Sequence, residues 1–401
     1  MPHWAAPGVY VEELPVLNRG IVPLPTSITA FVGRAARGPC DTDADAPVMV
    51  SSLEGYEHVF GGRGHPFPMA YAVRDYFANG GRRAVVLRLR GSGAGDDGVG
   101  RLTDADYAGD AARGTGLHAL RGASLFNLLC IPPDRLDEDT SPAVWQEALS
   151  LCAASRALLL VDPPVAWQDA RAAIASGSAP LGLDGAHAGN AALYFPRLWI
   201  RDSVTGVVDA CVPCGAVAGL LARTDAARGV WKAATGAEAA LHGVEGPVVA
   251  IGDRAGHDLR PLAINCLRTF PQVGLVAWGA RTLAARDPDR RYIPVRRLLL
   301  HVEASIEQGT AWAAMAPPAE DTWAGVRQSV GDFLGHLHAA GAFPAPLARD
   351  AWFVRCGRDT VTPADIDAGR LVIHAGIAPL RPVEFVDVRV VHPVPRPVPL
   401  P

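Results

Sequence analysis

Short apolar segments recur along the first part of the chain, and their spacing predicts β-strands separated by helices. Residues 27–33 (SITAFVG) and 83–89 (RAVVLRL) predict two strands. The second is apolar almost throughout, which is typical of a strand buried on both faces. Between them, residues 71–79 predict a helix that ends at Gly80-Gly81.

The middle of the chain repeats this order. Residues 124–131 and 156–162 are short apolar runs, and residues 144–153 between them predict a helix. A strand–helix–strand unit predicts a parallel sheet covered by helices, and hence an α/β fold. Residues 191–200 predict another strand, which Pro196 either interrupts or marks as an edge strand.

Two amphipathic helices are predicted in the last third of the chain. The first opens at Pro294, and the second is capped by Thr322 or Asp321 and ends at Gly341. Their apolar positions follow the 3.6-residue repeat. They are Val295, Leu298, Leu299, Val302 and Ile306 in the first helix, and Trp323, Val326, Val330, Phe333, Leu334 and Leu337 in the second.

Both ends of the chain carry an alternating segment that predicts a short strand. Near the start it is residues 9–13, which include Val9, Tyr10, Val11 and Glu12; near the end it is residues 383–391, which include Val386, Val388 and Val390. The last ten residues, HPVPRPVPLP, predict an extended polyproline-like tail, because proline has no N–H for a sheet ladder.

A glycine-rich segment, residues 91–100 (GSGAGDDGVG), is the clearest break in composition. It lacks the spacing and the Lys-Ser/Thr of a phosphate-binding loop, and its two aspartates would repel phosphate. The segment therefore predicts a flexible linker and a domain boundary.

The composition describes a folded, soluble protein with ample core material. Of 401 residues, 49% are hydrophobic and 19% are charged. The net charge is −4, so the chain lacks the overall basic character of many nucleic-acid-binding proteins. The seven cysteines are scattered, the first residues resemble no secretory signal, and no apolar run is long enough to cross a membrane. We therefore expect a protein made in a reducing cytoplasm.

Six arginines lie between Arg281 and Arg297, just ahead of and within the first predicted C-terminal helix. They could bind nucleic acid or phosphate, hold an anionic substrate, or join protein to protein. Arg296 and Arg297 fall in the first turn, where a cation costs roughly 0.3–1 kcal/mol beside the positive end of the helix dipole. Either the helix starts later, or carboxylates approach these guanidinium groups. Only one basic residue, Lys232, is a lysine, so codon bias explains part of the arginine content.

The candidate chemistry is sparse. Asp162 follows an apolar strand, at the sheet edge where α/β enzymes place catalytic groups, although a plain turn before two prolines explains it as well. Cys211 and Cys214 form the only close cysteine pair, and no second pair follows to complete a zinc site. No hydrolase, zinc-protease or calcium-loop motif occurs.

Several segments resemble contractile tail sheath proteins. The opening residues PGVYVEE, TSITAFVG and FGG resemble the start of that family, and residues 218–234 (AGLLARTDAARGVWKAA) resemble a segment farther along. WGARTL (278–283), RYIPVRR (291–297) and IAPLRPVEF (377–385) resemble its C-terminal motifs. The resemblance weakens at about 91–122, at the tail, and at residues 315–318 (MAPP), where the family often has a Phe-Glu-Pro-Asn-like turn. The length is similar to sheaths of R-type tailocins and contractile injection systems.

The resemblance implies a mechanical protein, with no catalytic activity, cofactor or metal. Subunits of such sheaths stack as six-membered rings in a helix around an inner tube, and they contract when a baseplate triggers them. The implied partners are other copies of the chain, the inner tube protein, and baseplate and terminal cap proteins, with no nucleic acid and no direct insertion into a membrane. The implied location is the bacterial cytoplasm during assembly, in a phage tail-like particle that can be released.

The resemblance also implies an α/β architecture in five segments. These are an N-terminal arm (1–25), the first part of a tube-facing core domain (26–95), an inserted outer α/β domain (96–246), the second part of the core domain (247–382), and a C-terminal arm with its Pro-rich tail (383–401).

Three sets of residues are candidate sites. The arms would add strands to neighbouring subunits through Val9, Tyr10, Val11, Glu12, Val386, Val388 and Val390. Arg281, Arg296 and Arg297 would form ion pairs in the core or between subunits. The second C-terminal helix would face the tube with Arg327, Gln328, Asp332 and His336. Two other classes stay open: an α/β enzyme with its site near Asp162, and a different self-assembling shell or filament.

Overall fold

The structure, a computed structural model, describes residues 19–39, 46–61, 67–91, 101–122, 125–202, 204–379 and 385–394. The chain divides into two compact units. One consists of Leu24–Val302, and the other consists of Met1–Pro23 together with Glu303–Pro401. The division between Val302 and Glu303 falls within one helix.

The larger unit is built from alternating strands and helices. Its strands are β1 (Thr29–Gly33), β2 (Val48–Val50), β3 (Ala84–Arg88), β4 (Leu128–Cys130), β5 (Leu158–Val161), β6 (Ala191–Phe195), β7 (Leu198–Arg201), β8 (Val208–Cys211), β9 (Gly246–Pro247), β10 (Ile264–Phe270) and β11 (Gly274–Trp278). Its helices are α1 (Leu53–Phe60), α2 (Pro68–Ala78), α3 (Asp104–Ala108), α4 (Pro142–Ala154), α5 (Ala170–Ser176), α6 (Cys214–Arg228), α7 (Asp253–Leu259) and the start of α8 (Ile293–Gly309). Short 3-10 turns occur at Gly116–Gly122, Ala179–Leu181, Ala188–Asn190 and Arg260–Leu262.

Eight strands of this unit form one sheet, in the order β11-β10-β6-β5-β4-β1-β3-β2. The six inner strands pair in parallel, and the two edge strands are antiparallel. Successive side chains of a strand enter opposite cores: Phe31 belongs to the cluster with α2 and α6, and Val32 to the cluster with α4. The predicted parallel sheet covered by helices is confirmed.

Residues 191–200 form two strands rather than one. β6 lies inside the large sheet, whereas β7 pairs with β8 and β9 in a separate antiparallel sheet of three strands. Pro196 lies between them, where a residue without an N–H cannot continue a ladder. The predicted interruption of the strand at Pro196 is therefore confirmed.

The structure divides the chain differently from the five predicted segments. β4, β5 and β6 come from the predicted outer domain 96–246, yet they lie between β1 and β10, which come from segments 26–95 and 247–382. Segment 96–246 is thus not a compact unit of its own. Glycine-rich composition indicates a loop, but it does not determine which strands pair on either side of that loop.

The smaller unit contains a three-stranded antiparallel sheet and helices. Its strands are β12 (Trp352–Arg355), β13 (Arg370–Ile377) and β14 (Val386–Pro393), in the order β12-β13-β14. Its helices are the end of α8, α9 (Glu320–Ala339), α10 (Ala348–Ala351) and α11 (Pro363–Asp367), with a 3-10 turn at Ala311–Met315.

The two predicted amphipathic helices are α8 and α9, and all their predicted apolar positions are buried. The predicted cap of α9 is wrong. The N-cap residue is Ala319, which has no side-chain oxygen, while the Thr322 hydroxyl donates to the carbonyl of Pro317. Gly341 follows the helix with φ +83°, a left-handed conformation that favours glycine.

Candidate functional site

Arg297 and Asp225 form a buried ion pair in the larger unit. Arg297 lies in the first turns of α8, and Asp225 lies near the end of α6. Arg297 Nη1 is 2.8 Å from Asp225 Oδ1, and Nη2 is 2.6 Å from Oδ2, so the contact is bidentate. Each side chain is 4% exposed. The carboxylate compensates the positive charge that the start of a helix disfavours.

Residues before β1 complete this network. Arg297 Nη2 also donates to the carbonyl of Thr26 at 2.9 Å, and the Thr26 hydroxyl donates to Asp225 Oδ2 at 2.7 Å. Burial and, secondarily, the Arg297 charge lower the pKa of His301, one turn farther along α8, to about 4. The imidazole is therefore neutral at pH 7 and adds no second positive charge beside Arg297.

The other two candidate arginines have different partners. Arg296 donates from Nε and Nη2 to Asn190 Oδ1, at 3.2 and 2.9 Å. The guanidinium of Arg281 lies over the ring of Tyr292, 5.9 Å from its centroid. The structure describes a single chain, so contacts of these arginines between subunits stay a prediction.

A buried asparagine positions the loop that carries Arg281. Asn265 lies on β10, and its Nδ2 donates to the carbonyls of Leu193 and Arg281 at 3.0 and 2.8 Å. Its Oδ1 accepts from the Arg281 N–H at 2.8 Å. Sequence reasoning missed this residue, because a single polar residue in an apolar run gives no indication of its partners.

Sequence reasoning also missed the close packing of α2 on α6. A Cβ at Gly215 would lie 2.0 Å from the carbonyl oxygen of Ala72, and one at Gly219 would lie 2.3 Å from that of Tyr76. Only glycine lets the two backbones approach so closely. The spacing of the two glycines, four residues apart in a predicted helix, is the signal that could have found this contact.

The predicted tube-facing residues fall on α9 with different surroundings. Gln328, Asp332 and His336 are exposed and follow one another at four-residue spacing, so they form one stripe along the helix. Arg327 is only 37% exposed. It donates to Glu320 Oε1 at 2.6 Å and to the carbonyl of Cys356. Its contacts are therefore within the smaller unit, and contact with a tube stays a prediction for all four residues.

The predicted C-terminal arm strand pairs within its own chain. β14 pairs with β13 from Val386 to Pro393, and it is an edge strand of the sheet. Val388 and Val390 are 1% and 2% exposed, and Val386 is half-buried. The strand is thus already paired and largely buried within its own chain, and its pairing with a neighbouring subunit stays a prediction. The N-terminal arm residues Val9, Tyr10, Val11 and Glu12 lie outside the described residues.

Asp162 follows β5, as predicted, and contacts the start of α6. Its Oδ1 accepts from the Cys214 N–H at 3.0 Å. The N-cap residue Pro213 has no side-chain cap bond, so Asp162 caps the helix from another strand. The residue is 5% exposed, and burial raises its pKa to about 7. The position of Asp162 is therefore explained by its structural role as a helix cap.

Cys211 and Cys214 are both buried. Burial raises the pKa of Cys211 to about 12 and that of Cys214 well above its usual value. Such thiols are poor nucleophiles. Within the described residues, no group of three or more His, Cys, Asp or Glu residues could hold a metal ion. No described helix is long and apolar enough to span a bilayer.

Comparison with solved structures finds close likeness over almost the whole chain. The contracted helical sheath of the anti-feeding prophage (AFP) is 28% identical, with a TM-score of 0.71, covering 96% of this chain and 98% of that chain. The contracted PVC sheath, from an extracellular contractile injection system, is 26% identical, with a TM-score of 0.72, covering 96% and 97%. The sheath tail protein Lin1278 of Listeria innocua shares the fold at 11% identity and a TM-score of 0.65. No family model and no curated protein sequence matches the chain.

The mixed α/β fold and this likeness are therefore those of a structural protein of contractile sheaths. The resemblance found in the sequence is confirmed: over almost its whole length the chain is similar to the sheath proteins of contractile injection systems. The two alternative classes, an α/β enzyme and an unrelated shell or filament, are not favoured, since the similar proteins are structural assemblies of the sheath and baseplate.

Proposed function

We propose that this chain polymerises as a helical stack of six-membered rings around an inner tube and contracts to drive that tube into a target. The observation that carries the proposal is its likeness, over 96% of its length, to two sheaths in the contracted state. Its partners are further copies of itself, the tube protein, a baseplate and a terminal cap. Assembly takes place in the bacterial cytoplasm, before release of the particle.

The edge position of β14 supports a connected lattice. An edge strand presents unpaired N–H and C=O groups, so it accepts a strand from a neighbour. The alternating residues 9–13 are the segment that we propose adds such a strand. A contact of this kind joins different surfaces of two copies, and it therefore propagates along a filament.

Electron microscopy tests the proposal directly. The chain is expressed with its tube protein, and hollow striated tubes wider than the tube itself are the expected result. A variant that lacks residues 1–13 should fail to polymerise while it keeps its fold. A full chain that sediments as a monomer at every concentration, with the tube present, contradicts the proposal.

A deletion from residue 383 onward is a poorer test than the sequence suggests. It removes β14, which pairs with β13 along its length and buries Val388 and Val390. Loss of polymerisation would then follow from damage to the smaller unit. The deletion of residues 1–13 separates assembly from folding, and circular dichroism of that variant is the control.

A further inference from the structure

A groove of about 520 Å³ opens on the larger unit, beside the carboxyl ends of β5 and β6 and the three-stranded sheet β8-β7-β9. Ligands of parallel α/β sheets usually bind at this edge. The residues that matter for its chemistry are Pro163, Pro164, Trp167, Pro196, Trp199 and Asp209. The groove is therefore lined by prolines and two tryptophans.

The two tryptophans have different roles. Trp167 is 5% exposed and packs edge-on against Phe195, with ring centroids 5.6 Å apart, so it forms a rigid wall. Trp199 is 39% exposed. It lies on β7, where Leu198 and Ile200 point into the core and Trp199 points outward. An outward tryptophan beside a groove is typical of a binding anchor, because it offers a large, rigid apolar surface.

The charge of the groove favours a cationic ligand. Arg197, the arginine in its wall, donates to the carbonyls of Leu136, Pro163 and Glu138 and to the Asp139 carboxylate. It is thus occupied and cannot receive an anion. Asp209 lines the groove, is partly exposed, and its carboxylate has no hydrogen bond or ion pair among the described residues. A positively charged side chain of a ligand would form an ion pair with this carboxylate.

The last residues of the chain have the matching chemistry. Residues 395–401 lie outside the described residues, and they follow β14, which ends at Pro393. In a polyproline helix with three residues per turn, Pro397 and Leu400 share one face. A second face carries Arg396 and Pro399. Pro-rich segments of this kind dock in grooves lined by aromatic residues, and they lose little entropy on binding.

We propose that this groove binds the Pro-rich tail, residues 395–401, of a second copy of the chain, with Pro397 and Leu400 on Trp199 and Arg396 at Asp209. The proposal rests on the proposed function only in requiring that copies lie side by side. It adds a second tether between subunits, distinct from strand addition. The tail has no requirement for sheet hydrogen bonds, so the tether can persist while strands shift.

Fluorescence anisotropy of a labelled peptide tests the proposal. The peptide is residues 392–401, HPVPRPVPLP, and it is titrated into the full, unassembled chain. Because the chain carries its own tail, a chain with Pro395, Pro397 and Pro399 changed to Ala is titrated in parallel. We expect saturable binding, tighter to the tail variant. Trp199→Ala should weaken it by about tenfold or more, the usual effect of losing an aromatic anchor.

Matched variants separate the groove from general effects. Trp278 is 45% exposed on β11, so Trp278→Ala is the control for Trp199→Ala. Asp209→Asn should weaken binding, whereas Asp184→Asn, at another exposed aspartate, should not. A peptide with Arg396→Glu should bind the native chain more weakly than the native peptide does. The substitution Asp209→Asn in the chain should then reduce the affinity of this peptide less than it reduces the affinity of the native peptide.

Equal binding to the Trp199→Ala and Trp278→Ala chains would overturn the proposal, as would no binding to either the native chain or the tail variant. Electron microscopy distinguishes this failure from failure of the proposed function. If the chain forms normal tubes but does not bind the peptide, only the proposed contact between tail and groove is wrong. If the chain binds the peptide but never forms tubes, the proposed sheath function is wrong and the proposed binding site in the groove stands.

Discussion

Arg297 on α8 lies against Asp225 on α6, joined by two hydrogen bonds of 2.8 and 2.6 Å across 72 residues of sequence. Both belong to segments that resemble sheath proteins: Asp225 to ARTD and Arg297 to RYIPVRR. The pair links two motifs that lie far apart in the chain. It also explains how α8 can begin with two arginines. Arg297 is neutralised by the Asp225 carboxylate, and Arg296 donates to Asn190.

We predict that Arg297→Met destabilises the larger unit strongly. The substitution leaves the Asp225 carboxylate buried and unpaired, which costs about 3–5 kcal/mol. Arg297→Lys should reduce the free energy of unfolding less than Arg297→Met does, since it keeps the charge but not the bidentate geometry. Urea unfolding at pH 7 measures both. The exposed Arg286→Met is the control, and the double variant Arg297→Met, Asp225→Leu should recover part of the loss. A single variant as stable as the control would contradict this account.

We predict that stability falls as pH rises through the range from about 4 to 7, in part because of Asp162. Burial raises the pKa of its folded-state carboxyl from 3.8 to about 7, so the folded chain holds a proton that the unfolded chain has released. The folded state therefore loses stability as that proton leaves, by up to about 1.4 kcal/mol per pH unit. Thermal unfolding at pH 5.5 and pH 8 measures the difference.

Asp162→Asn is the variant that isolates this effect. Its side-chain carbonyl can still accept from the Cys214 N–H, and it cannot ionise, so the pH dependence should flatten and stability at pH 8 should rise. Part of the slope should remain, because burial also raises the pKa of Asp75 to about 7. The exposed Asp184→Asn should leave the slope unchanged. An unaltered slope in Asp162→Asn would show that Asp162 does not titrate in this range.

Much of the fold could be predicted from apolar periodicity. The strands at 27–33 and 83–89 and the helices α8 and α9 follow directly from it, because burial of one face or of both faces determines those patterns. The start of α2 was less predictable. Pro68 occupies its first turn and adds residues before the predicted start at 71.

What could not be predicted depends on contacts between distant residues. The partner of Arg297 lies in another helix, and the acceptors of Asn79 Nδ2 include the carbonyl of His242. Such pairings follow from strand order, and a single sequence does not specify which strands become neighbours. The same reason explains why the division at 96–246 differs from the compact units of the structure.

We predict that Gly219→Ala destabilises the chain by forcing α6 away from α2. The added Cβ would lie 2.3 Å from the Tyr76 carbonyl oxygen and 2.7 Å from Asn79 Cβ, and backbone cannot move aside cheaply. Overpacking of this kind costs about 1–3 kcal/mol. Gly335→Ala in α9 is the control. Its Cβ would meet Trp352 only at 3.9 Å, so the higher helix propensity of alanine should stabilise by up to about 1 kcal/mol. Thermal unfolding of the two variants should therefore shift in opposite directions.

We predict that substitutions at Gln328 and His336 of α9 reduce binding to the inner tube without loss of stability. Both side chains are exposed on the stripe proposed to face the tube, so Gln328→Lys with His336→Lys changes its charge, places each lysine four residues from Asp332, and leaves the buried face of the helix intact. Arg327→Glu is the contrasting variant: it breaks the contacts with Glu320 and the Cys356 carbonyl, so it should lower the unfolding temperature. Pull-down with the purified tube, alongside thermal unfolding, separates the two effects. Unchanged tube capture by the Gln328, His336 variant would place the tube contact elsewhere on the protein.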